Sequence, residues 1–191
     1  MSHFFAYISK MKWIRRWGLM KNTAEENIME HSWQVAVIAH GLATIKNQVF
    51  DGNVDAEHIA MLALYHETGE VITGDFATPV KYYNPDMVQA IHSMENLAKE
   101  RIHKMLPEEL RPSYEPLIFP DEKSEEYQIV KAADRICAYL KCVEEIKWGN
   151  REFEKAEAAI KRDLDKIERE EVRYFMEHFV DSFSLTLDEL N

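Results

Sequence analysis

The residues of this chain that could do chemistry are a dispersed set of metal-ligand types: His31, the adjacent pair His66 and Glu67, and Asp134. Apolar residues flank each of them in stretches typical of helices, so we expect each to face an interior. Imidazole nitrogens and carboxylate oxygens together suit a divalent transition metal. About three protein ligands with one open position are typical of a catalytic metal, which acidifies bound water and polarises a phosphoryl oxygen. The set therefore favours metal-assisted hydrolysis.

The same residues also allow a structural interpretation. A lone helical histidine is more often a surface or hydrogen-bonded core residue than a ligand, and one acidic residue among 34 Asp and Glu says nothing. His-Glu is a weak dipeptide signal, so residue chemistry alone leaves both interpretations open. Histidines outside the set are assigned to the ordinary class: His3, His40, His58, His92, His103 and His178.

Helical periodicity covers almost the whole chain, and no alternating β-pattern persists. Helices are predicted over residues 4–14, 26–48, 56–66, 84–105, 122–147, 151–168 and 170–180. Residues 73–79 are predicted to form a loop, and prolines between 107 and 120 an irregular connection with one short helix. The ligand candidates thus come from different helices, as in bundle metal sites. Glu70 follows His66 by four residues, on the same face if that helix continues.

The composition narrows the class of protein. The length of 191 residues predicts a single domain over residues 1–191. A net charge of -11 argues against binding a nucleic-acid polymer, which needs a basic face. Cys137 and Cys142 form no CxxC motif and are expected to be reduced. Neither a long apolar run nor a signal peptide is visible, so we expect no membrane association and a cytoplasmic location.

Segments along the entire chain extend these candidates to a family resemblance. The order His, His-acid, Asp resembles that of HD-domain metal-dependent phosphohydrolases, and most closely the bacterial 5'-deoxynucleotidases of the YfbR type. The resembling segments are Ser2–Phe5, Arg16–Trp17, Glu30–Ser32, Tyr65–His66, Gly69–Val71, Thr73–Asp75, Thr78–Tyr82, Asp134, Cys137–Cys142, Tyr174–Glu177 and Leu185–Glu189. The resemblance implies an all-α HD-domain helical bundle.

The resemblance also implies roles for individual residues. A divalent ion such as Co, Mn or Zn would be held by His31, His66, Glu67 and Asp134, with Glu70 orienting or deprotonating the attacking water. Arg16 matches a residue that grips the substrate phosphate, and Thr78 and Lys81 lie in a segment lining the same pocket. Trp17 matches a ring near the sugar that disfavours a 2'-hydroxyl. Asp75 matches a carboxylate that accepts a hydrogen bond from the 3'-hydroxyl.

One segment of the pattern has an alternative interpretation, and one position departs from it. Without the resemblance, Arg15, Arg16 and Trp17 would be interpreted as a helix C-terminus, where cations are favoured; Arg15 is kept as a surface residue. Glu67 replaces the family's signature Asp, and its extra methylene would move the carboxylate by up to about 1.5 Å on a fixed backbone.

The function expected from the resemblance is removal of the 5'-phosphate from deoxyribonucleoside monophosphates. The alternatives are hydrolysis of another small phosphate ester, or a catalytically inactive nucleotide-binding regulator whose metal site decayed through Glu67. A homodimer is also expected, because Phe175, Phe179 and Phe183 look exposed on amphipathic C-terminal helices.

Overall fold

Helices dominate residues 1–190, the part of the chain that the computed structural model describes. The α-helices are α1 (Phe4–Ile8), α2 (Ile28–Val49), α3 (Ala56–Tyr65), α4 (Glu70–Thr73), α5 (Thr78–Lys81), α6 (Pro85–Lys104), α7 (Arg111–Ile118), α8 (Glu125–Lys147), α9 (Glu154–Leu164) and α10 (Glu170–His178). Short 3-10 turns span Ser9–Trp13, Glu108–Leu110, Arg151–Phe153, Val180–Ser184 and Leu187–Leu190. No β-strand occurs within residues 1–190, so the all-α prediction is confirmed.

Side-chain caps explain where several helices begin. Asn84 accepts a hydrogen bond from the amide of Met87 at 2.8 Å, so α6 begins at the predicted place. Asp55 does the same for the amide of His58 at 2.9 Å at the start of α3. Each cap satisfies a backbone donor that has no partner inside the helix.

The structure departs from the predicted helices at two places that matter for the site. The predicted first helix stops at Ile8 and continues as a 3-10 turn to Trp13. The loop prediction for residues 73–79 is wrong at both ends, because Thr73 is the last residue of α4 and α5 begins at Thr78. Pro79 lies in the first turn of α5, where its missing N–H costs no helical hydrogen bond.

The chain divides into two compact units, and the first comprises residues 1–21, 25–33 and 64–121. Its core joins α1, α6 and α7 through Phe4, Ile102, Leu106 and Ile118, all at most 1% exposed. α4 lies against α6, and a Cβ on Gly69 would come within 3.3 Å of the backbone oxygen of Glu95. This close approach places Glu70, the first residue of α4, beside the α6 backbone.

The second unit comprises residues 22–24, 34–63 and 122–190 of the described chain. α8 is its central helix, with buried side chains that include Ile129, Val130, Ala133, Ile136 and Leu140. The expectation that Phe175 is exposed is wrong: it is 8% exposed, because it lies on the inward face of α10. Phe179 is 45% exposed, and Phe183 is half-buried.

Membrane spans and domain number were also predicted from the sequence. No helix among residues 1–190 is both long and apolar enough to cross a lipid bilayer. The prediction of a single domain over residues 1–191 stays a prediction.

Candidate active site

A loop closed by backbone pairing carries the first two site residues. Arg15 and Asn27 form an isolated antiparallel bridge. The amide of Arg16 donates to the carbonyl of Glu26 at 2.9 Å, and the amide of Ile28 donates to Ile14 at 3.0 Å. The reading of Arg15, Arg16 and Trp17 as a helix C-terminus is therefore wrong, because they belong to this paired segment. Arg15 is an exposed residue, as predicted.

Trp17 has an unusual backbone. Its φ angle is +58°, in the left-handed region that residues with a Cβ rarely adopt. Its indole Nε1 donates to the Glu26 carboxylate at 3.0 Å. Strained non-glycine residues persist only where their surroundings over-determine them, and they concentrate at functional sites.

Arg16 lies beside one of the ligand candidates. Its Nη1 donates to Glu26 Oε2 at 2.8 Å and lies 2.7 Å from His31 Nδ1. Glu26 Oε1 is 3.8 Å from the same ring nitrogen. A carboxylate near the ring nitrogen of a ligand histidine is a common outer partner in metal sites.

The two histidines occupy different helical settings. His31 lies in the first turn of α2 and is fully buried. His66 is 9% exposed and directly follows the end of α3 at Tyr65. The centroids of the two rings are 5.5 Å apart. α3 does not continue through Glu70 as the shared-face argument required; residues 66–69 form a turn instead.

The four predicted ligands form one group. Each of His31, His66, Glu67 and Asp134 offers one ligand atom, and these atoms all lie within 4.8 Å of one another. Glu67 Oε1 is 3.2 Å from His66 Nε2, so its longer side chain stays within the group. Asp134 lies on α8, where Lys131 forms an ion pair with it at 3.1 Å.

Glu70 presents a buried oxygen to the same surroundings. Its Oε2 is buried and has no hydrogen-bond partner within the described part of the chain. Burial raises the pKa of Glu70 above its ordinary value, and the charge and hydrogen bond of Glu67 raise it further. The positive charge of Arg16 acts in the opposite direction.

Asp75 also belongs to this acidic cluster. Burial raises its pKa, and Arg16 and Lys81 oppose that shift by stabilising the carboxylate. The backbone amide of Trp17 donates a hydrogen bond to Asp75, which also favours the ionised form. Asp75 is thereby tied to the loop that carries Arg16 and Trp17.

Thr78 and Lys81 begin and end α5. Thr78 is exposed, whereas Lys81 is half-buried and donates to Glu95 at 2.7 Å. Burial lowers the pKa of Lys81, but the hydrogen bond and charge of Glu95 outweigh it and raise that pKa overall. Lys81 is thus held as a cation against α6.

Sequence reasoning missed Glu26 and Glu95, the partners of Arg16 and Lys81. Both are acidic residues in an acidic chain, at separations of 10 and 14 residues from their partners. No helical or strand periodicity links such positions. The sequence signal for Glu26 is its position: it stands next to the polar residue Asn27, directly before the apolar pattern of α2.

The donor set fits a divalent metal. Two imidazoles and two carboxylates supply borderline nitrogen and hard oxygen ligands, which several first-row ions accept. The charge of Glu67 raises the pKa of both Glu70 and Asp75, and Asp75 raises that of Glu70 further, so a cation placed among these half-buried carboxylates would relieve their repulsion. The unpartnered Glu70 Oε2 is suited to a water held in the same space.

Comparison with known sequences gives a match over nearly the whole chain. The family model described as 5'-deoxynucleotidase YfbR-like matches residues 3–183. A 5'-deoxynucleotidase of Vibrio atlanticus is 51% identical over 191 residues, covering 100% of this chain and 98% of the relative. The 5'-deoxynucleotidase YfbR of Escherichia coli is 51% identical over 100% of this chain and 96% of its own length.

Solved structures share the fold at low identity. An HD-domain phosphohydrolase from Listeria innocua superposes with a TM-score of 0.83 at 23% identity, over 95% of this chain and 88% of that one. A cyanophage S-2L HD phosphohydrolase, bound to dA and one catalytic Zn²⁺, has a TM-score of 0.61 at 18% identity. It covers 93% of this chain and 96% of its own. These likenesses establish the HD-type fold.

Proposed function

Because the chain belongs to the family of YfbR-like 5'-deoxynucleotidases, we propose that it removes the 5'-phosphate from deoxyribonucleoside monophosphates. It is a metal-dependent phosphomonoesterase of the HD type. The observation that carries this function is the group of four ligand atoms within 4.8 Å, with Arg16 beside His31. A cation site next to a largely shielded guanidinium suits a phosphate dianion.

The metal would be held by His31, His66, Glu67 and Asp134. When bound, a divalent ion lowers the pKa of a water and polarises a phosphoryl oxygen. Co, Mn and Zn all suit the donor set, because mixed nitrogen and oxygen sites accept several ions and availability decides among them.

Glu70 is assigned the role of orienting and deprotonating the attacking water. Its Oε2 accepts a proton from that water as the new oxygen–phosphorus bond forms and the bond between phosphorus and O5' breaks. This step needs an ionised Glu70. Burial and the charge of Glu67 raise its pKa and oppose ionisation, whereas the positive charge of Arg16 favours it, and a divalent ion held by the neighbouring ligands would favour it further. The departing deoxynucleoside oxygen takes a proton from solvent or a nearby acid.

Arg16 is assigned the role of binding the non-bridging oxygens of the substrate phosphate. A guanidinium presents donors in a planar fork that matches a phosphate, and it stays charged at every working pH. Lys81, held near the same cluster by Glu95, adds positive charge. Together they offset the negative charge of Glu67, Glu70 and Asp75, which would otherwise repel a phosphate dianion.

The sugar of the substrate is assigned to three residues, Trp17, Asp75 and Thr78, which would contact it. The Trp17 ring would leave no room for a 2'-hydroxyl, which is discrimination by steric conflict. Asp75, tied to the Trp17 amide, accepts from the 3'-hydroxyl. The exposed hydroxyl of Thr78, at the start of α5, would contact the same ligand.

We also infer a cytoplasmic homodimer. Cys137 and Cys142 are both buried thiols, which supports a reducing compartment. Exposed apolar residues near the C-terminus, among them Phe179 and Leu187, support self-association. Light scattering of the purified protein would test the dimer, and a monomeric mass at micromolar concentration would contradict it.

A panel of nucleotides assayed with several divalent ions tests the function. Deoxyribonucleoside 5'-monophosphates should release phosphate faster than their ribonucleotide counterparts and faster than 3'-monophosphates. Equal rates on unrelated small esters would favour the broader phosphohydrolase. Tight deoxynucleotide binding without turnover in any metal would favour an inactive regulator, in which the replacement of Asp by Glu67 has abolished catalysis.

A further inference from the structure

Glu26 contacts three groups of the site through one carboxylate. Its Oε2 accepts from Arg16 Nη1 at 2.8 Å and from Trp17 Nε1 at 3.0 Å. Its Oε1 lies 3.8 Å from His31 Nδ1. The Glu26 side chain is only 12% exposed. A single oxygen therefore links the residue assigned to the phosphate with the residue assigned to the sugar.

The neighbouring pair shows that this linkage is more than a surface ion pair. Arg15 and Glu25 have the same separation of 10 residues as Arg16 and Glu26, and they also form an ion pair. Arg15 and Glu25 are 69% and 64% exposed, whereas Arg16 and Glu26 are 14% and 12% exposed. Solvent competes for exposed pairs, so they fix little geometry. The buried pair is shielded from that competition.

The backbone holds Glu26 in register. The Arg16 amide donates to the Glu26 carbonyl, next to the bridge between Arg15 and Asn27. This pairing fixes the main chain of Glu26 opposite that of Arg16. The Trp17 φ angle of +58° then turns the indole N–H toward the same carboxylate oxygen.

We propose that Glu26 is a positioning residue that sets Arg16 and Trp17 relative to one another, and so couples phosphate binding to the exclusion of a 2'-hydroxyl. The inference rests on the proposed function. Glu26 touches neither phosphate nor sugar in this assignment; it acts by holding the guanidinium and the indole at one fixed spacing. A ribonucleotide would be rejected because its phosphate cannot engage Arg16 unless its C2' lies against the Trp17 ring.

The test is the ratio of kcat/KM for a deoxyribonucleoside 5'-monophosphate to that for its ribonucleotide counterpart. Glu26→Gln keeps the side-chain volume but removes the negative charge, so the hydrogen bonds from Arg16 and Trp17 to its oxygen are weakened. This variant should lower the ratio roughly tenfold, the effect expected when a hydrogen bond to a charged group is lost. A purely structural role would lower both rates together and leave the ratio unchanged.

A second variant tests the linkage from the other side. Trp17→Phe keeps a ring against the sugar and removes only the N–H that Glu26 accepts. It should lower the ratio by a similar factor. The Glu26→Gln/Trp17→Phe double variant should lower it no further than Trp17→Phe alone, because both changes act on the same hydrogen bond. Glu25→Gln is the matched control and should keep the parent ratio.

Each outcome decides the matter. A parental ratio in Glu26→Gln, or independent additive effects in the double variant, would overturn the inference while the proposed function stands. If Glu26→Gln does not fold, an unchanged ratio in Trp17→Phe overturns the inference by itself. A parent protein that releases no phosphate from any deoxynucleotide in any metal overturns the proposed function, and this inference with it.

Discussion

Glu70 in the first unit has a buried carboxylate oxygen, Glu145 in the second unit is buried entirely, and the two differ in what surrounds the carboxylate. Glu70 has an oxygen with no hydrogen-bond partner in the described residues, and burial together with Glu67 raises its pKa. Glu145 is 1% exposed and accepts from Lys141, from the amide and hydroxyl of Thr23, and from Asn150. Burial raises the pKa of Glu145, but these hydrogen bonds outweigh it and lower it to about 2.

The difference separates a carboxylate that stabilises the fold from one that is available to a ligand. A buried carboxylate whose oxygens all accept hydrogen bonds is not available to a substrate. Its removal leaves the groups that donated to it unpaired. A buried charge with an unpartnered oxygen destabilises the fold until a ligand or water meets it. Substitution of Glu70 should therefore lower turnover, whereas substitution of Glu145 should lower stability.

The largest effect should come from removing metal, which acts on the surroundings of Glu70 and leaves those of Glu145 intact. Chelation should abolish turnover, and it should lower the melting temperature because an ion that binds only the native state stabilises it. The measurements are phosphate release and calorimetry of the metal-loaded and chelated protein, with metal content determined in both. Full activity in excess chelator, with no metal in the protein, would contradict the assignment.

Glu70→Ala should cut turnover by about 10²- to 10⁴-fold, the usual contribution of a positioned acid–base group. Metal content and binding of inorganic phosphate should stay near the parent values, since Glu70 is assigned neither task. Stability should not fall, because a carboxylate whose buried Oε2 has no partner among the described residues disfavours the folded state, and the substitution removes it. A variant as active as the parent would show that the mechanism is wrong.

Glu145→Ala should destabilise the protein by about 3–5 kcal/mol, the cost of leaving a buried partner charge behind, here on Lys141. Urea unfolding measures this free energy. The adjacent, exposed Glu144 provides the control, and Glu144→Ala should change stability by no more than about 0.5 kcal/mol. Equal effects of the two substitutions would erase the contrast between Glu70 and Glu145.

Acid should remove the contribution of Glu145 in a defined window. The folded-state pKa lies below the ordinary value of 4.5, at about 2, so the charged form is favoured by folding. Its stabilisation is complete above pH 4.5 and is lost as the pH falls toward 2. The stability difference between the parent and Glu145→Gln should shrink across that interval; a difference independent of pH would argue against the lowered pKa.

Glu67→Asp should have the smallest effect. It shortens a ligand by one methylene and keeps charge and donor type, so metal affinity should be equal or better than in the parent. Titration with a divalent ion measures it. Complete loss of metal would mean that the site has been rebuilt around the longer Glu67 side chain, whose carboxylate already lies within the ligand group.

Local chemistry explains which elements were predictable. The caps at Asn84 and Asp55 act within one turn of their helices, so the starts of α6 and α3 follow from neighbouring residues. Thr78 and Pro79 carry the signals of both a loop and a helix start, and packing of α5 on α6 decided for the helix. Phe175 was misassigned because periodicity does not reveal which face of α10 is covered.

The sequence by itself determined the helical class, the donor types of His31, His66, Glu67 and Asp134, and, through resemblance, the family. These properties are local or shared along the whole chain. Only the tertiary structure decided that four ligand atoms lie within 4.8 Å and that Glu26 joins Arg16 to Trp17. It also decided that Glu70 begins a new helix with a buried oxygen that has no hydrogen-bond partner among residues 1–190. Such contacts join residues that no backbone period relates, so they form only when the chain folds and water is expelled from between them.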